Sequence, residues 1–355
     1  MWRYVCCLLL VLSSVPLLPA LAQQAPPTDC EKLVDEGLNL YSRNQNNEAL
    51  ARFQQALKLQ PNEFRAQYGT ALVYYTTGRY DEAVALCKAL VKRGDDKLPN
   101  LYVTYGTSLD CQHQSAEAVR VYQQAVQKFP DDEALWRYQG IAFQNLQRYD
   151  EAAVSFQKAV RLLPDKPAAH LLLAQIEAVR NHRLPALLGC MRGLLLESRP
   201  GPTAQAMGLL DRLLQSGVQQ TGPNAFSLNL PEGLLDKSGA AKKPDDFAMA
   251  EAMLTLETAL DNDDKNKGKN PGERLGEKLN ALCEDLARQQ ANQPSGFTWQ
   301  VYVPFFVELA QKGYVPTLAY VIQAKRQAAK PAVSSWLAEH PQQVKELSEW
   351  VKTYH

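Results

Sequence analysis

Residues 78–90 read GRYDEAVALCKAL and residues 147–159 read QRYDEAAVSFQKA, so the five letters RYDEA occur twice in this chain. The first copy begins at Arg79 and the second at Arg148. Such a pair can mark a duplicated active site or a repeated structural unit. The residues around both copies decide between these interpretations, because a true repeat has more matching positions than one short motif.

An internal repeat runs through both copies. When the alanine of RYDEA is aligned along the chain, alanines recur at nearly constant spacing, at Ala49, Ala83, Ala118 and Ala152. The residues four positions later, most of them aromatic, are Phe53, Cys87, Tyr122 and Phe156. The small residues twelve positions earlier are Gly37, Ala71, Gly106 and Gly140. Three of the four units close on a proline, at Pro61, Pro130 and Pro164.

This pattern resembles the tetratricopeptide repeat, a helical hairpin of about 34 residues with W-x2-L-G-x2-Y, then A-x3-F, then P. Small residues let two antiparallel helices approach, large residues fill the space between hairpins, and proline ends the second helix. The resemblance implies an all-α fold with a right-handed solenoid of helical hairpins over residues 30–217. We expect units near residues 30–63, 64–98, 99–132, 133–166 and 167–200, and a capping helix over residues 203–217.

The composition changes after the solenoid. Residues 218–246 are rich in Gly, Pro and polar side chains, which is typical of a partly ordered linker. Residues 247–355 have apolar residues at helical spacing and predict a smaller helical C-terminal domain. Alternation over residues 297–303 would suit a strand, but we favour a helix that begins near Pro304 and ends at Gly313, followed by a second helix.

The first 22 residues have the layout of a secretory signal peptide. They carry one arginine near the start, an apolar stretch over residues 5–18, and Ala20-Leu21-Ala22 before Gln23. The stretch is shorter than the roughly 20 residues that a membrane span needs, so we expect cleavage after Ala22 and no stable membrane insertion. A retained anchor is the alternative. Without an Asn-x-Ser/Thr sequon, export to the periplasm is favoured, and the extracellular space is the other possibility.

Charge and motifs argue against several classes of function. Lys plus Arg and Asp plus Glu are balanced at 38 each, so no long-range field favours nucleic acid. We find no CxxC pair, no HExxH and no GxSxG, and therefore predict no metal, no cofactor, no catalytic residue and no enzymatic activity. The cysteines are expected to be small buried hydrophobes. The acids of RYDEA should lie in the first turn of a helix, where they complement its dipole.

The resemblance also implies a binding surface. In this family the first helix of each hairpin lines a concave groove that holds a peptide or a partner's helix. The inward positions that we select as partner-binding residues are Tyr41, Arg65, Tyr68, Leu72, Tyr75, Asp110, Arg137 and Gln144. Tyr68 and Tyr75 could equally pack between hairpins. The Lys and Asn clamp that some relatives use for acidic chain ends is absent, which favours a hydrophobic ligand anchored by aromatic residues.

The predicted function is that of an exported scaffold that binds a protein or peptide partner in this groove. Two alternatives remain open. The chain could be a structural subunit of an envelope assembly that docks through its C-terminal helical domain. It could also be an enzyme whose site lies where the solenoid meets that domain.

Overall fold

The computed structural model describes residues 28–222, 225–231, 245–262, 266, 268–291 and 295–354. The predicted signal peptide and most of the predicted linker lie outside the described residues. The described chain contains 17 α-helices and one antiparallel pair of strands, which confirms the predicted helical class. It divides into two compact units, one that ends at Thr77 and one that begins at Gly78. The domain boundaries drawn from the sequence stay predictions.

The first unit contains three helices, α1 (Asp29–Ser42), α2 (Asn46–Leu59) and α3 (Phe64–Thr76). A capping box begins α1. The Glu31 N–H donates to Thr28 Oγ1 at 3.2 Å, and the Thr28 N–H donates to Glu31 Oε2 at 2.7 Å. These bonds satisfy donors that the first turn of a helix leaves without an intrahelical partner.

Phe53 of α2 is the core residue around which this unit packs. Its side chain is fully buried and lies against Gly37 of α1 and Gly69 of α3. A methyl group at Gly37 would lie 2.6 Å from Phe53 Cε1, and one at Gly69 would lie closer still to the ring. The small and large positions of the repeat are therefore complementary, because the aromatic ring occupies the volume that the glycines leave empty.

The second unit begins with eight helices that follow one another in hairpins. They are α4 (Tyr80–Arg93), α5 (Pro99–Cys111), α6 (Ser115–Lys128), α7 (Glu133–Asn145), α8 (Tyr149–Leu162), α9 (Pro167–Val179), α10 (Arg183–Leu196) and α11 (Pro200–Gln215). Gly106 packs on the Tyr122 ring and Gly140 on the Phe156 ring. The same small-against-large contact thus recurs in this unit.

The acids of both RYDEA copies lie in the first turns of α4 and α8, as expected. The structure adds a contact to the following hairpin. Asp81 accepts a hydrogen bond from Gln112 Nε2 at 2.6 Å, and Asp150 accepts one from Arg180 Nε at 2.9 Å. Gln112 and Arg180 are the C-cap residues that directly follow α5 and α9. The aspartate of RYDEA therefore links successive hairpins.

The glutamate of RYDEA has a different partner. Arg79 Nε donates to Glu82 Oε1, and Arg148 Nε donates to Glu151 Oε1, both at 2.9 Å. Hydrogen bonds from these arginine side chains lower the pKa of both glutamates. The motif thus contains its own surface ion pair, and nothing in either copy suggests a duplicated catalytic site.

The rest of the second unit contains two short strands and six more helices. These are β1 (Val218–Gly222), β2 (Ala225–Leu228), α12 (Ala248–Ala259), α13 (Pro271–Gln290), α14 (Phe297–Gln311), α15 (Val315–Ala324), α16 (Pro331–Glu339) and α17 (Pro341–Thr353). The strands pair antiparallel, with Val218 opposite Leu228. A turn of 3₁₀ helix over Leu260–Asn262 follows α12.

The start of α14 differs from the prediction. The helix begins at Phe297 and contains Pro304. Residues 297–303 therefore belong to the helix, and are neither a strand nor a segment that precedes it. The reason is a remote cap: Asp245 Oδ1 accepts hydrogen bonds from the N–H groups of Thr298 and Trp299 at 3.0 and 3.3 Å. This carboxylate satisfies the first donors of α14 from a distant position in the sequence.

Four of the five cysteines in the described part of the chain are buried, and none forms a disulfide there. Burial raises the pKa of the Cys87, Cys190 and Cys283 thiols to about 12, so these three are protonated at neutral pH. Cys111 is exposed, and the prediction that it is buried was wrong. Its position at the last residue of α5 turns the thiol away from the hairpin core.

Among the described residues, no cluster of three His, Cys, Asp or Glu side chains has the arrangement of a metal site. No helix in the same part of the chain combines the length and the apolar character that crossing a membrane requires.

Candidate functional site

Five of the predicted binding residues lie on α1 and α3 of the first unit, namely Arg65 and four tyrosine or leucine side chains. All four side chains are half-buried, and we call them the tyrosine patch: Tyr41, Tyr68, Leu72 and Tyr75. The ring of Tyr68 stacks on that of Phe64, with centroids 6.0 Å apart and planes 12° apart. Stacking of this kind fixes the orientation of the ring and leaves part of it available for contact.

Tyr41 belongs partly to the core of the first unit. It packs against a cluster of buried side chains that includes Val34 and Phe53. Burial raises the pKa of the Tyr41 hydroxyl, and a hydrogen bond with the Thr76 side chain acts in the opposite direction. Tyr41 therefore has contacts on both α1 and α3. Its position is compatible with packing between helices and with lining a binding surface.

Arg65 is exposed at the start of α3. Its Nη2 donates to Asp35 Oδ1 of α1 at 2.6 Å, and the two side chains are 48% and 61% exposed. Water screens a pair this exposed, so the bridge contributes little to stability. The guanidinium consequently remains accessible to a ligand. Sequence reasoning had not identified Asp35 as its partner.

In the second unit, Asp110 is a half-buried carboxylate between two hairpins. Asn145 Nδ2 donates to Asp110 Oδ1 at 3.4 Å, which ties the end of α5 to the end of α7. Burial raises the pKa of the Asp110 carboxyl, against the opposing effect of hydrogen bonds from Ser115 and Asn145. The structure thus gives Asp110 a contact between hairpins.

Arg137 and Gln144 lie on α7 and are both half-buried. Arg137 Nε donates to Glu133 Oε1 at 2.8 Å, and the guanidinium lies 4.7 Å from the centroid of the Tyr138 ring. Glu133 is 8% exposed, so this ion pair is more sheltered than that of Arg65. The charge of Arg137 is compensated within its own helix, whereas Gln144 presents a neutral polar group two turns further on.

Sequence reasoning missed a polar cluster at the end of α9. Glu177 is 4% exposed and accepts hydrogen bonds from Arg180 Nη1 and from His182 Nδ1, the latter at 2.7 Å. Arg180 Nε also donates a hydrogen bond to Asp150 Oδ1. The available signal was an acid on the apolar face of a predicted helix, because a buried carboxylate requires a cationic or hydrogen-bonding partner.

A cavity of about 290 Å³ lies where α9 and α10 meet α11 and α12. This is the junction of the repeats with the C-terminal helices, where the enzyme alternative would have its site. Arg183 is its main cation. Its Nε donates to the Leu213 carbonyl at 2.8 Å, its Nη2 to the Leu214 carbonyl at 3.1 Å, and its Nη1 to Thr255 Oγ1 at 2.6 Å. These bonds satisfy the last carbonyl groups of α11.

Glu251 is the acid of this junction cavity. Its Oε1 accepts the Leu184 N–H of α10 at 2.9 Å. Burial raises the pKa of the carboxyl, while this backbone hydrogen bond and the nearby Arg183 act in the opposite direction. Arg183 and Glu251 thus cap the ends of two helices. The geometry accounts for both charged groups as structural links between the repeats and the C-terminal helices.

A scan against protein-family models matches residues 34–97, 106–167 and 139–186 to the model described as "Tetratricopeptide repeat". The matched residues make up less than half of the chain. No curated protein sequence matches this chain.

Three solved structures, two of them described as TPR proteins, resemble about half of the chain. A thermophilic TPR protein of Thermus thermophilus is 21% identical with a TM-score of 0.44, and the match covers 51% of this chain and 98% of that one. MamA from Desulfovibrio magneticus RS-1 is 19% identical with a TM-score of 0.44, over 48% and 97%. YrrB, a TPR protein with an unusual peptide-binding site, is 23% identical with a TM-score of 0.42, over 51% and 92%. The family model alone identifies the helical hairpins over residues 34–97 and 106–186 as tetratricopeptide repeats.

Proposed function

We propose that this protein is an interaction scaffold that binds an extended peptide segment of a partner along the first helices of its hairpins. Repeats of this kind present extended binding surfaces, which supports the proposal. The observation that carries it is the tyrosine patch, because three tyrosines and a leucine remain half-exposed together on α1 and α3. Tyrosine offers a large contact area with few rotatable bonds.

The proposed ligand has an apolar or aromatic anchor that contacts Tyr68, Leu72 and Tyr75. Arg65 lies one turn before Tyr68 and supplies a cation for a carboxylate of the ligand. Taken by itself, the second unit is proposed to offer polar contacts to a peptide backbone through Asp110, Arg137 and Gln144. No reaction is assigned to the chain, since the charged groups of the junction cavity cap helix ends.

The test is selection of random linear peptides on the full chain, followed by measurement of their affinity. We expect enrichment of sequences with aromatic or aliphatic anchors. Replacements Tyr68→Ala and Tyr75→Ala should each weaken binding by about tenfold, the effect typical of a central aromatic contact. The matched control is Leu59→Ala, because Leu59 is 57% exposed on α2, the second helix of the same hairpin as α1.

Each variant must first show the unfolding midpoint of the unchanged protein, since these side chains are partly buried. Peptides that bind the two tyrosine variants as tightly as the unchanged chain would overturn the proposal. Equal weakening by Leu59→Ala would also do so, because it would place the contact outside the tyrosine patch.

We also propose that the chain is exported and processed after Ala22, with the periplasm as its compartment. The support is the signal-like sequence of residues 1–22. Mass spectrometry of the protein recovered from the cell envelope should find Gln23 at the N-terminus. Recovery of an intact Met1 from the cytoplasmic fraction would contradict the proposal.

A further inference from the structure

A cleft of about 360 Å³ lies in the second unit where α11, α13 and the segment between α15 and α16 meet. Its size falls within the range of small-molecule sites, roughly 300 to 1,000 Å³. It is lined by four basic side chains and by the carboxylates of Asp211 and Asp261. We call it the basic cleft and define it by Arg274, Lys278, Arg326 and Lys330.

Two of these cations are neutralised within the cleft. Arg326 donates from Nη1 and Nη2 to the two carboxylate oxygens of Asp211, at 2.9 and 2.5 Å. Lys278, which is 7% exposed, donates to Asp261. Bidentate and charge-assisted hydrogen bonds are among the strongest in proteins, so these four groups already satisfy one another.

The other two cations have no carboxylate partner among the residues that the structure describes. Arg274 donates from Nη2 to the Asn266 carbonyl at 2.8 Å, but its Nε is buried and has no acceptor in the described part of the chain. Lys330 is exposed. Two positive charges without a described acid beside them favour an anion.

The rest of the lining combines the polar side chains of Gln215, Thr258 and Gln323 with an apolar part that includes Leu214, Leu275 and Val333. We propose that the basic cleft binds an oxyanion, a carboxylate or a phosphate, carried on a small apolar group. The oxyanion contacts the Arg274 guanidinium and Lys330 Nζ, and the apolar group contacts the three aliphatic side chains. None of the predicted groove residues lines this cleft, so the site is independent of the proposed peptide binding.

Calorimetric titration of the full chain tests the site with three probes. N-acetyl-leucine and isobutyl phosphate carry the two oxyanions on the same kind of apolar group, and N-acetyl-leucinamide lacks the charge. We expect one or both anions to bind and the amide not to bind. The anion that binds more tightly shows whether the cleft prefers a carboxylate or a phosphate.

Substitutions then locate the binding. Arg274→Gln should weaken it about tenfold, because it removes a charge-assisted hydrogen bond. Lys330→Gln should weaken it severalfold and, since Lys330 is exposed, should leave the fold intact. The control is Lys345→Gln, which changes an exposed lysine of α17 that does not line the cleft.

Three outcomes would overturn the proposal. They are binding of the amide as tight as that of the anions, no binding of either anion, and anion affinity unchanged by both Arg274→Gln and Lys330→Gln. If Arg274→Gln does not fold, Lys330→Gln alone decides, and unchanged affinity in that variant counts against the site.

Discussion

His170 of α9 and Tyr302 of α14 are joined by a buried hydrogen bond, with Nδ1 of the histidine 3.0 Å from the tyrosine hydroxyl. The other ring nitrogen, Nε2, lies 2.9 Å from the Pro164 carbonyl oxygen. A carbonyl only accepts, so Nε2 carries the hydrogen and Nδ1 accepts from Tyr302. This bond connects a repeat helix to a helix 132 residues later in the chain.

Removing the Tyr302 hydroxyl should destabilise the second unit. In Tyr302→Phe the buried Nδ1 of His170 loses its donor, which should lower the free energy of unfolding by about 1–3 kcal/mol. Urea unfolding followed by circular dichroism measures the change. The control is Tyr314→Phe, a half-buried tyrosine for which the described residues show no hydroxyl hydrogen bond, and its change should stay within about 0.5 kcal/mol. Equal losses in the two variants would contradict this prediction.

His170 should make the protein sensitive to acid. Burial lowers the pKa of its imidazole from 6.5 to about 4, with the nearby Arg192 contributing in the same direction. Between these values the unfolded chain takes up a proton that the folded chain does not, so stability falls as the pH falls. The loss should approach about 3 kcal/mol near pH 4.

The measurement compares the unchanged protein with His170→Gln at pH 7 and pH 4.5. At pH 7 the variant is expected to be less stable, because it loses the two hydrogen bonds of the imidazole. The difference should narrow at pH 4.5, since the variant has no imidazole whose protonation favours the unfolded state. A difference that stays constant would contradict the assignment.

The packing of small on large residues predicts opposite effects of the same substitution at two glycines. In Gly140→Ala the added methyl group would lie 2.5 Å from Phe156 Cε1, so overpacking should cost about 1–3 kcal/mol. In Gly208→Ala, on α11, nothing lies within 4 Å, and the variant should gain about 0.5–1 kcal/mol of helix stability. Both glycines belong to the second unit, so thermal unfolding compares them directly. A destabilised Gly208→Ala would refute the packing argument.

Glu251 should give a dependence on pH that runs opposite to that of His170. Because burial raises the pKa of its carboxyl above 4.5, the folded state binds more protons than the unfolded state just above that pH. The contribution of Glu251 to stability therefore falls as the pH rises through this window. In Glu251→Gln an oxygen still accepts the Leu184 N–H without a charge, so the variant should gain on the unchanged protein as the pH rises from 4.5 to 7. Urea unfolding at both values checks the sign, and a relative loss would contradict it.

Much of the fold could be predicted because its determinants are local and periodic. Ala49, Ala83, Ala118 and Ala152 recur with the spacing of a hairpin, and all four are fully buried. The start of α14 could not be predicted, since Asp245 provides its cap from a distant part of the sequence. The residues around this helix had favoured Pro304 as its start, because proline is common in the first turn of a helix.

The candidate site also has features that could be predicted from the sequence and contacts that could not. The resemblance indicated which side of each hairpin to examine, and Tyr68, Leu72 and Tyr75, which we selected on that basis, are half-buried in the structure. The resemblance did not indicate which residues the charged side chains contact. The pairing of Arg65 with Asp35 joins two helices, and periodicity carries no information about such partners.

The sequence by itself determined the repeat, because a small residue that faces a large one once in every hairpin needs only the geometry of that hairpin and its neighbour. The tertiary structure alone decided how the C-terminal helices attach to the repeats. His170 with Tyr302, Arg183 with Thr255 of α12, and Glu251 with the start of α10 are contacts between residues far apart in the chain. Buried polar groups take whichever partner the completed fold brings within hydrogen-bonding distance, and no spacing in the sequence specifies that partner.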